Sequence, residues 1–367
     1  MPRWSLGRIP LLAGVLMVLA GCSESQTDTG PEAAASGNEA PEYPVTWRFA
    51  LEEIEGSVQH AYATEFKERI EVLSEGNIEL DIFPYGSLGT SAELTELTRN
   101  GSVHLAFASP GHLADKVPEV GVFTLHFVLS DDSDVNRDLL ASQELVDLFS
   151  HSYAEHNMKL LGFVPEGWMV WSANKPLRSP DDFAGFRIRT MTADISAESY
   201  RAYGADPQPT PYAQVYSDLQ LQRIDGQANP VFAIEEMGFY EVQSTLTFAR
   251  PAQFIASVIS NHQWYVDLPA DQKRWLDEAL AEVAEEIYQR QAELNESRLA
   301  TIREDSNIAT VELTAGERAR FREASLPVRD RYVETAGERG QKILETVLEM
   351  VARGEQELNA ASNNGEP

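Results

Sequence analysis

The stretch that decides the fold reads VTWRFAL at 45–51, SVQHAYATEFKERIEVL at 57–73, IELDI at 78–82, TSAELTELTRN at 90–100 and VHLAFA at 103–108. Val45, Trp47, Phe49 and Leu51 take every second position, the period of a strand with one buried face. Val58, Tyr62, Phe66 and Ile70 recur every four residues, one face of a helix that Ser57 is placed to cap and Gly76-Asn77 to stop. Ile78, Leu80 and Ile82 alternate again, and 84–89 is a turn. Thr90-Ser91-Ala92-Glu93 has the form of a capping box, and 103–108 is a third, mostly apolar strand followed by a loop at 109–112. Strand, helix, strand, helix, strand predicts an open parallel sheet. Ligands gather beyond the C-terminal ends of such strands. Glu52, Glu53, Ser109 and His112 are therefore expected along one edge.

Further on, a helix is expected at about 136–150 and a strand at 158–164, with the chain crossing into a second domain near Glu166-Gly167. Ser179-Pro180-Asp181-Asp182 supplies an N-cap, a first-turn proline and acids for a short helix ended by Gly185. Then comes a strand with Arg187 and Arg189 on one pleat face. One arginine of such a pair can reach solvent while the other faces a cleft. A guanidinium offers a planar, always-charged fork for a carboxylate. Residues 193–203 read as helix, stopped by Gly204. Thr210-Pro211 opens a helix carrying Tyr212 and Tyr216, and Asp225-Gly226 reads as a turn before 227–230. Trp275, Leu276, Ala279, Leu280, Val283, Ile287 and Leu294 keep helical spacing. A helix from about 268 to 303 is long enough to lie along two domains. Thr314-Ala-Gly-Glu-Arg and Thr335-Ala-Gly-Glu-Arg read as two Thr-capped helix starts, and the polar tail after about 353 is expected to fray.

Acidic residues number 58 against 29 basic ones, a net charge of -29. That field excludes a nucleic-acid partner and suits a solvated surface in salty surroundings. The lone cysteine, Cys22, excludes an intrachain disulfide. Arg3 and Arg8, the short apolar run 9–20 and Leu19-Ala20-Gly21-Cys22 have the pattern of a signal peptide ending in a bacterial lipobox. Lipid on Cys22 would hold the protein to a membrane in the periplasm or cell envelope. Residues 22–44 lack periodicity and read as a tether.

No P-loop, dinucleotide glycine fingerprint, G-x-S-x-G elbow or H-E-x-x-H motif occurs, and no two of the seven histidines are spaced four apart. Neither a metal, a cofactor nor an enzymatic activity is expected.

Several stretches in order carry a family pattern: Ser74-Glu-Gly-Asn-Ile-Glu-Leu80, Gly86-Ser-Leu-Gly89, Gly101-Ser-Val103, Pro180-Asp-Asp-Phe183 with Gly185-Phe-Arg-Ile-Arg189, and Asp225-Gly-Gln-Ala-Asn-Pro230. The chain resembles the solute-binding proteins of TRAP transporters, the DctP-type family. The resemblance implies an α/β periplasmic-binding-protein architecture: two domains about a cleft, spanned by a long helix. Domain I would hold 45–166 with 255–294, domain II 167–254 with 295–350, and 351–367 would form a tail. It implies a monomer that closes on a small organic acid and delivers it to TRAP membrane permease subunits. The family's carboxylate-binding arginine falls on Arg189 and its pocket asparagine on Asn229, while a second family arginine falls on Met169. Trp47 to Glu53, Pro165-Glu-Gly167, Ile188 to Thr192 and Phe239-Tyr-Glu-Val242 resemble the ectoine-binding branch. There an acid at Glu53 faces the ligand cation and aromatic rings box it. Tyr212 and Phe232 fall on box positions, Ser109 is placed to hydrogen-bond, and His112 stands where that branch has phenylalanine. A carboxylate or an ectoine-like zwitterion both fit. A lipid-anchored sensory receptor of the same fold, or a tethered enzyme using Glu52 and Glu53, are the alternatives.

Overall fold

The computed structural model describes residues 44–364, and Cys22, the signal-peptide pattern and the tether lie outside them. The chain begins β1 (Val45–Ala50), α1 (Val58–Leu73), β2 (Ile78–Phe83), α2 (Ser91–Arg99), β3 (Leu105–Ala108) and α3 (Pro110–Leu113). It continues α4 (Ser133–Ala141), α5 (Gln143–Ala154), β4 (Met158–Trp168), β5 (Val170–Ala173), β6 (Arg187–Thr190), α6 (Ile195–Ala202) and β7 (Asp206–Pro209). Then follow α7 (Val215–Gln220), β8 (Gly226–Asn229), α8 (Val231–Glu236), β9 (Thr245–Phe248), β10 (Gln253–Asn261) and α9 (His262–Asp267). The last elements are α10 (Ala270–Asp305), β11 (Ala309–Glu312), α11 (Ala315–Ser325) and α12 (Val328–Asn364).

The opening grammar holds. The Ser57 hydroxyl accepts the His60 amide at the start of α1, and Thr90 and Glu93 form the capping box of α2. β1 lies parallel to both β2 and β3. The sheet is nonetheless mixed, in the order β2-β1-β3-β10-β4, because β10 enters antiparallel between β3 and β4. A second sheet runs β11-β9-β5-β8-β6-β7. The architecture is α/β with two sheets, as expected, and the chain passes from the first to the second at Met169, between β4 and β5.

Helix α10 is 36 residues long, about 54 Å at 1.5 Å per residue. Leu276, Ala279, Leu280, Val283 and Ile287 pack with β1 and α1, while Ile302 packs with Val170 of β5 and Leu246 of β9. One helix thus contributes to the cores under both sheets. Between these contacts Asn295 pins two further segments. Its Nδ2 donates to the Glu166 carbonyl at 2.8 Å and its Oδ1 accepts the Phe232 amide at 3.1 Å.

Several expectations fail locally. Residues 109–112 are not a loop, since Pro110 at the first turn lets α3 form. The single helix at 136–150 is two, because Ser142 is extended and its hydroxyl caps α5. Gly226 opens β8 rather than a turn, since Asp225 is held by the Arg187 guanidinium at the strand's edge. Thr335 starts no helix; it lies inside α12 with its hydroxyl bonded back to the Arg331 carbonyl. The break comes two residues later at Gly337 (φ 65°). The tail beyond 353 does not fray but continues α12 to Asn364, and its Arg353 pairs with Glu144. Helix α12 packs on the side of the first sheet. Tyr332, Ile343, Val347 and Val351 share a core with Phe149, Met158 and Leu160.

Gly167 sits at φ +130°, and a Cβ there would come within 2.6 Å of Asn295. Gly167→Ala is therefore expected to cost roughly 1–3 kcal/mol, read from urea denaturation. Gly162→Ala on the same strand, where a Cβ meets nothing within 4 Å, should cost little.

Candidate functional site

The C-terminal ends of β1, β3, β6 and β8 converge on one cavity. It is lined by Glu52, Glu53, Ser91, Ser109, His112, Arg189, Met191, Tyr212, Asn229 and Phe254. Six of the seven residues singled out from the sequence are among them. The seventh, Phe232, is not: it is 1 % exposed and packs in the core with Phe49, Phe66 and Phe107.

The arginine strand separates its two charges. Arg187 is half-buried and makes a two-pronged ion pair with Asp225. Arg189 is 3 % exposed. Its Nε donates to the Thr210 carbonyl at 2.9 Å, and among the described residues no carboxylate pairs with it. Burial lowers its pKa to about 10, still well above neutral, so it keeps its charge. Asn229, at the end of β8, is nearly buried; its amide donates to Gln227, whose own amide donates to Ser172. The Tyr212 hydroxyl donates to Glu236, and its ring meets Tyr85 edge-on at 5.8 Å.

Ser109 is already engaged. Its amide donates to Glu52 at 2.8 Å and its hydroxyl bonds the same carboxyl. It lines the cavity but holds Glu52 rather than offering a free donor. His112 bonds Thr192 through Nδ1 at 2.8 Å. Burial, with Arg189 nearby, lowers its pKa to about 4, so it is neutral at pH 7. The segment after β6 lies directly on α3: the Ala193 amide donates to the Gly111 carbonyl, and a Cβ on Gly111 would strike Met191 at 2.2 Å.

The cavity's other wall is acidic. Glu52, Glu53 and Glu166 are all nearly or fully buried. The Gln59 side chain ties them, accepting the Glu52 amide and donating to Glu166 at 3.0 Å. The sequence marks Glu166 as a crossover point and as part of the Pro165-Glu-Gly167 stretch, not as a member of the site. Its signal was the one acid in a mostly apolar strand, MKLLGFVPEGW. Burial raises Glu52 to about 7 and, with Glu53 beside it, Glu236 to about 9. Glu53 is raised by burial and by the charge of Glu166, and Glu166 is raised chiefly by burial. Met191 and Phe254 also escaped notice, since apolar residues carry no mark of which face they take.

These raised carboxyls bind protons more tightly folded than unfolded. Their stabilising effect is full below the unfolded value near 4.5 and is lost as pH rises through about 7 to about 9. The melting temperature of the unliganded protein is therefore expected to fall across that window, as a thermal scan against pH would read.

Residues 49–335 match the family model for DctP, bacterial extracellular solute-binding protein, family 7. The ectoine-binding periplasmic protein TeaA of Halomonas elongata is 34% identical over 305 residues, 83% of this chain and 89% of that protein. The ectoine/5-hydroxyectoine-binding periplasmic protein UehA of Ruegeria pomeroyi is 35% identical over 303 residues, 82% of this chain and 88% of that one. The apo open structure of a TRAP periplasmic solute-binding protein from Marinobacter aquaeolei superposes with a TM-score of 0.80. It is 58% identical and covers 83% of this chain and 100% of that chain. With its two sheets, its shared long helix and a match over most of its length, this chain belongs to the DctP family of bacterial extracellular solute-binding proteins.

Proposed function

We propose that this chain is the extracytoplasmic solute-binding component of a TRAP transporter, taking a small zwitterion of the ectoine kind and handing it to membrane permease subunits. The observation that carries this reading is the opposition of charges across one cavity. Arg189 is buried without a carboxylate partner on one side, and Glu52 and Glu53 line the other. Arg189 takes the solute's carboxylate in a bidentate pair. Asn229 adds a hydrogen bond, Tyr212 covers the carbon skeleton, and Glu53 meets the cation. His112 acts on closure through Thr192 rather than on the solute. Excluding water as the walls meet strengthens every one of these interactions. Met169, where a second cation would serve a dicarboxylate, is apolar. The chain performs no chemistry on the solute. Its likeness to TeaA and UehA over most of both chains supports the solute class and a periplasmic site of action. Attachment through Cys22, monomeric behaviour and a division into domains about the cleft complete the proposal.

Arg189→Ala should weaken ectoine binding by roughly 1.5–3 kcal/mol, about ten- to a hundredfold in Kd by isothermal calorimetry; near-normal affinity would remove Arg189 from the site. Salt separates solute classes. At a net charge of -29 the association rate of a simple dianion such as succinate should rise as salt screens the field, while that of ectoine stays flat in stopped-flow measurements.

A further inference from the structure

Asn229 is one end of a chain of four polar side chains that crosses the second sheet. Its Nδ2 donates to Gln227 Oε1, two residues back on β8. Gln227 Nε2 donates to Ser172 Oγ at 2.9 Å, across the β8–β5 pair in which these two residues are register partners. The Ser172 hydroxyl donates to Gln243 Oε1 at 3.3 Å, and Gln243 Nε2 donates to the Val242 carbonyl at 3.1 Å. Gln227 and Ser172 are fully buried, and Asn229 and Gln243 nearly so.

The last link gives the chain its direction. A backbone carbonyl only accepts, so Gln243 must turn its nitrogen to Val242 and its oxygen to Ser172. Ser172 has one hydrogen to give, and Gln243 takes it. Gln227 must then donate to Ser172 and keep its oxygen for Asn229. Turning any one of these amides over sets like groups against each other inside the sheet, and a buried group left unpaired is costly. The Asn229 amide is thereby fixed. Nδ2 faces Gln227, and Oδ1 takes the other end. Asn229 borders the cavity with Arg189, Glu53 and Tyr212. Among the described residues nothing donates to its Oδ1, and that oxygen is not among the sealed ones, as Glu52 Oε1 and Glu53 Oε2 opposite are.

We infer that Gln227, Ser172 and Gln243 are positioning residues for solute selection: their one-way chain holds the Asn229 carbonyl oxygen toward the cavity, where it accepts an N–H of the solute. The inference rests on the zwitterion reading above and deepens it. With the carboxylate on Arg189, Asn229 calls for a donor beside it. Ectoine has one, because one of its two ring N–H groups adjoins the carboxylate-bearing carbon, and the other is left for Glu53. Nδ2 keeps a second hydrogen that can serve the carboxylate. A plain mono- or dicarboxylate brings no N–H and leaves Oδ1 unpaired once water is excluded. A site built around a hydrogen bond rejects the molecule that cannot make it.

The test uses the full chain, ectoine as the probe and two substitutions at the far end of the relay. Gln243→Met removes both of that residue's links. Gln243→Glu keeps the acceptor for Ser172 and with it the direction of the chain up to Asn229. By calorimetry, ectoine Kd should rise roughly three- to tenfold in Gln243→Met and stay near the wild-type value in Gln243→Glu. Affinity unchanged by Gln243→Met, or lowered equally by both, overturns the inference. If either variant folds poorly, a crystal structure of the wild type with ectoine decides. The solute atom nearest the end of the Asn229 amide remote from Gln227 should be a ring nitrogen, and a carboxylate oxygen there overturns the inference. Failure of the wild type to bind ectoine overturns the zwitterion reading instead. The relay is then judged by NMR of the unliganded protein. The Asn229 side-chain amide should exchange slowly with solvent in the wild type and in Gln243→Glu and faster in Gln243→Met, and equal exchange in all three sinks the relay.

Discussion

Burying the Arg189 guanidinium removes it from water at a cost of several kcal/mol, and the described residues return one side-chain hydrogen bond, from Nε to the Thr210 carbonyl. The remaining N–H donors keep their charge and lack an acidic partner. Such a group persists only when the surrounding fold over-determines its position. Here β6 lies between β7 and β8, and Thr210 stands just beyond the end of β7. The neighbouring Arg187 shows what the strand does when no ligand is at stake: it meets Asp225 in an ordinary ion pair near the surface. The difference between the two is one of depth and partner, two residues apart on the same strand.

Opposite Arg189 the fold commits the reverse imbalance. Carboxyls from the segment just after β1, from β4 and from α8 gather with amides as their main company. Neither wall is content alone. Arg189 and Glu53 border the same space, yet they are not paired with each other across it. A site with a buried cation and, bordering the same space, buried carboxyls that ionise more readily once a cation arrives favours a molecule that bears both charges.

Much of this was legible in the chain. Alternation, a Ser cap and a Thr–Glu capping box fixed the β1 to β3 run because each is a local signal. The position of Arg189, Glu53 and Tyr212 at strand or helix ends followed from the same grammar. The insertion of β10 between β3 and β4 was not legible, since it pairs Ser257 with Ala108 and Phe163 across long sequence separations. Phe232 and Tyr212 looked equivalent as rings, and only packing sent one into the core. Ser109 looked like a free hydroxyl until Glu52 was seen to hold it. Thr335 repeats the motif of Thr314, but its segment continues a helix already begun, so the same five residues cap in one place and not in the other.

The shared helix α10 has a mechanical corollary. A continuous rod seated in two cores resists shear along its length, so a hinge that leaves both cores intact must turn in the thin connectors beside it. Two of these carry backbone in the left-handed half of conformational space: Gly167 (φ +130°), just before the β4–β5 crossing, and Arg250 (φ +48°), on the way back to β10. Any travel of one sheet's core against the other's would thus fall to a handful of peptide units, with the rod as the spring that restores them.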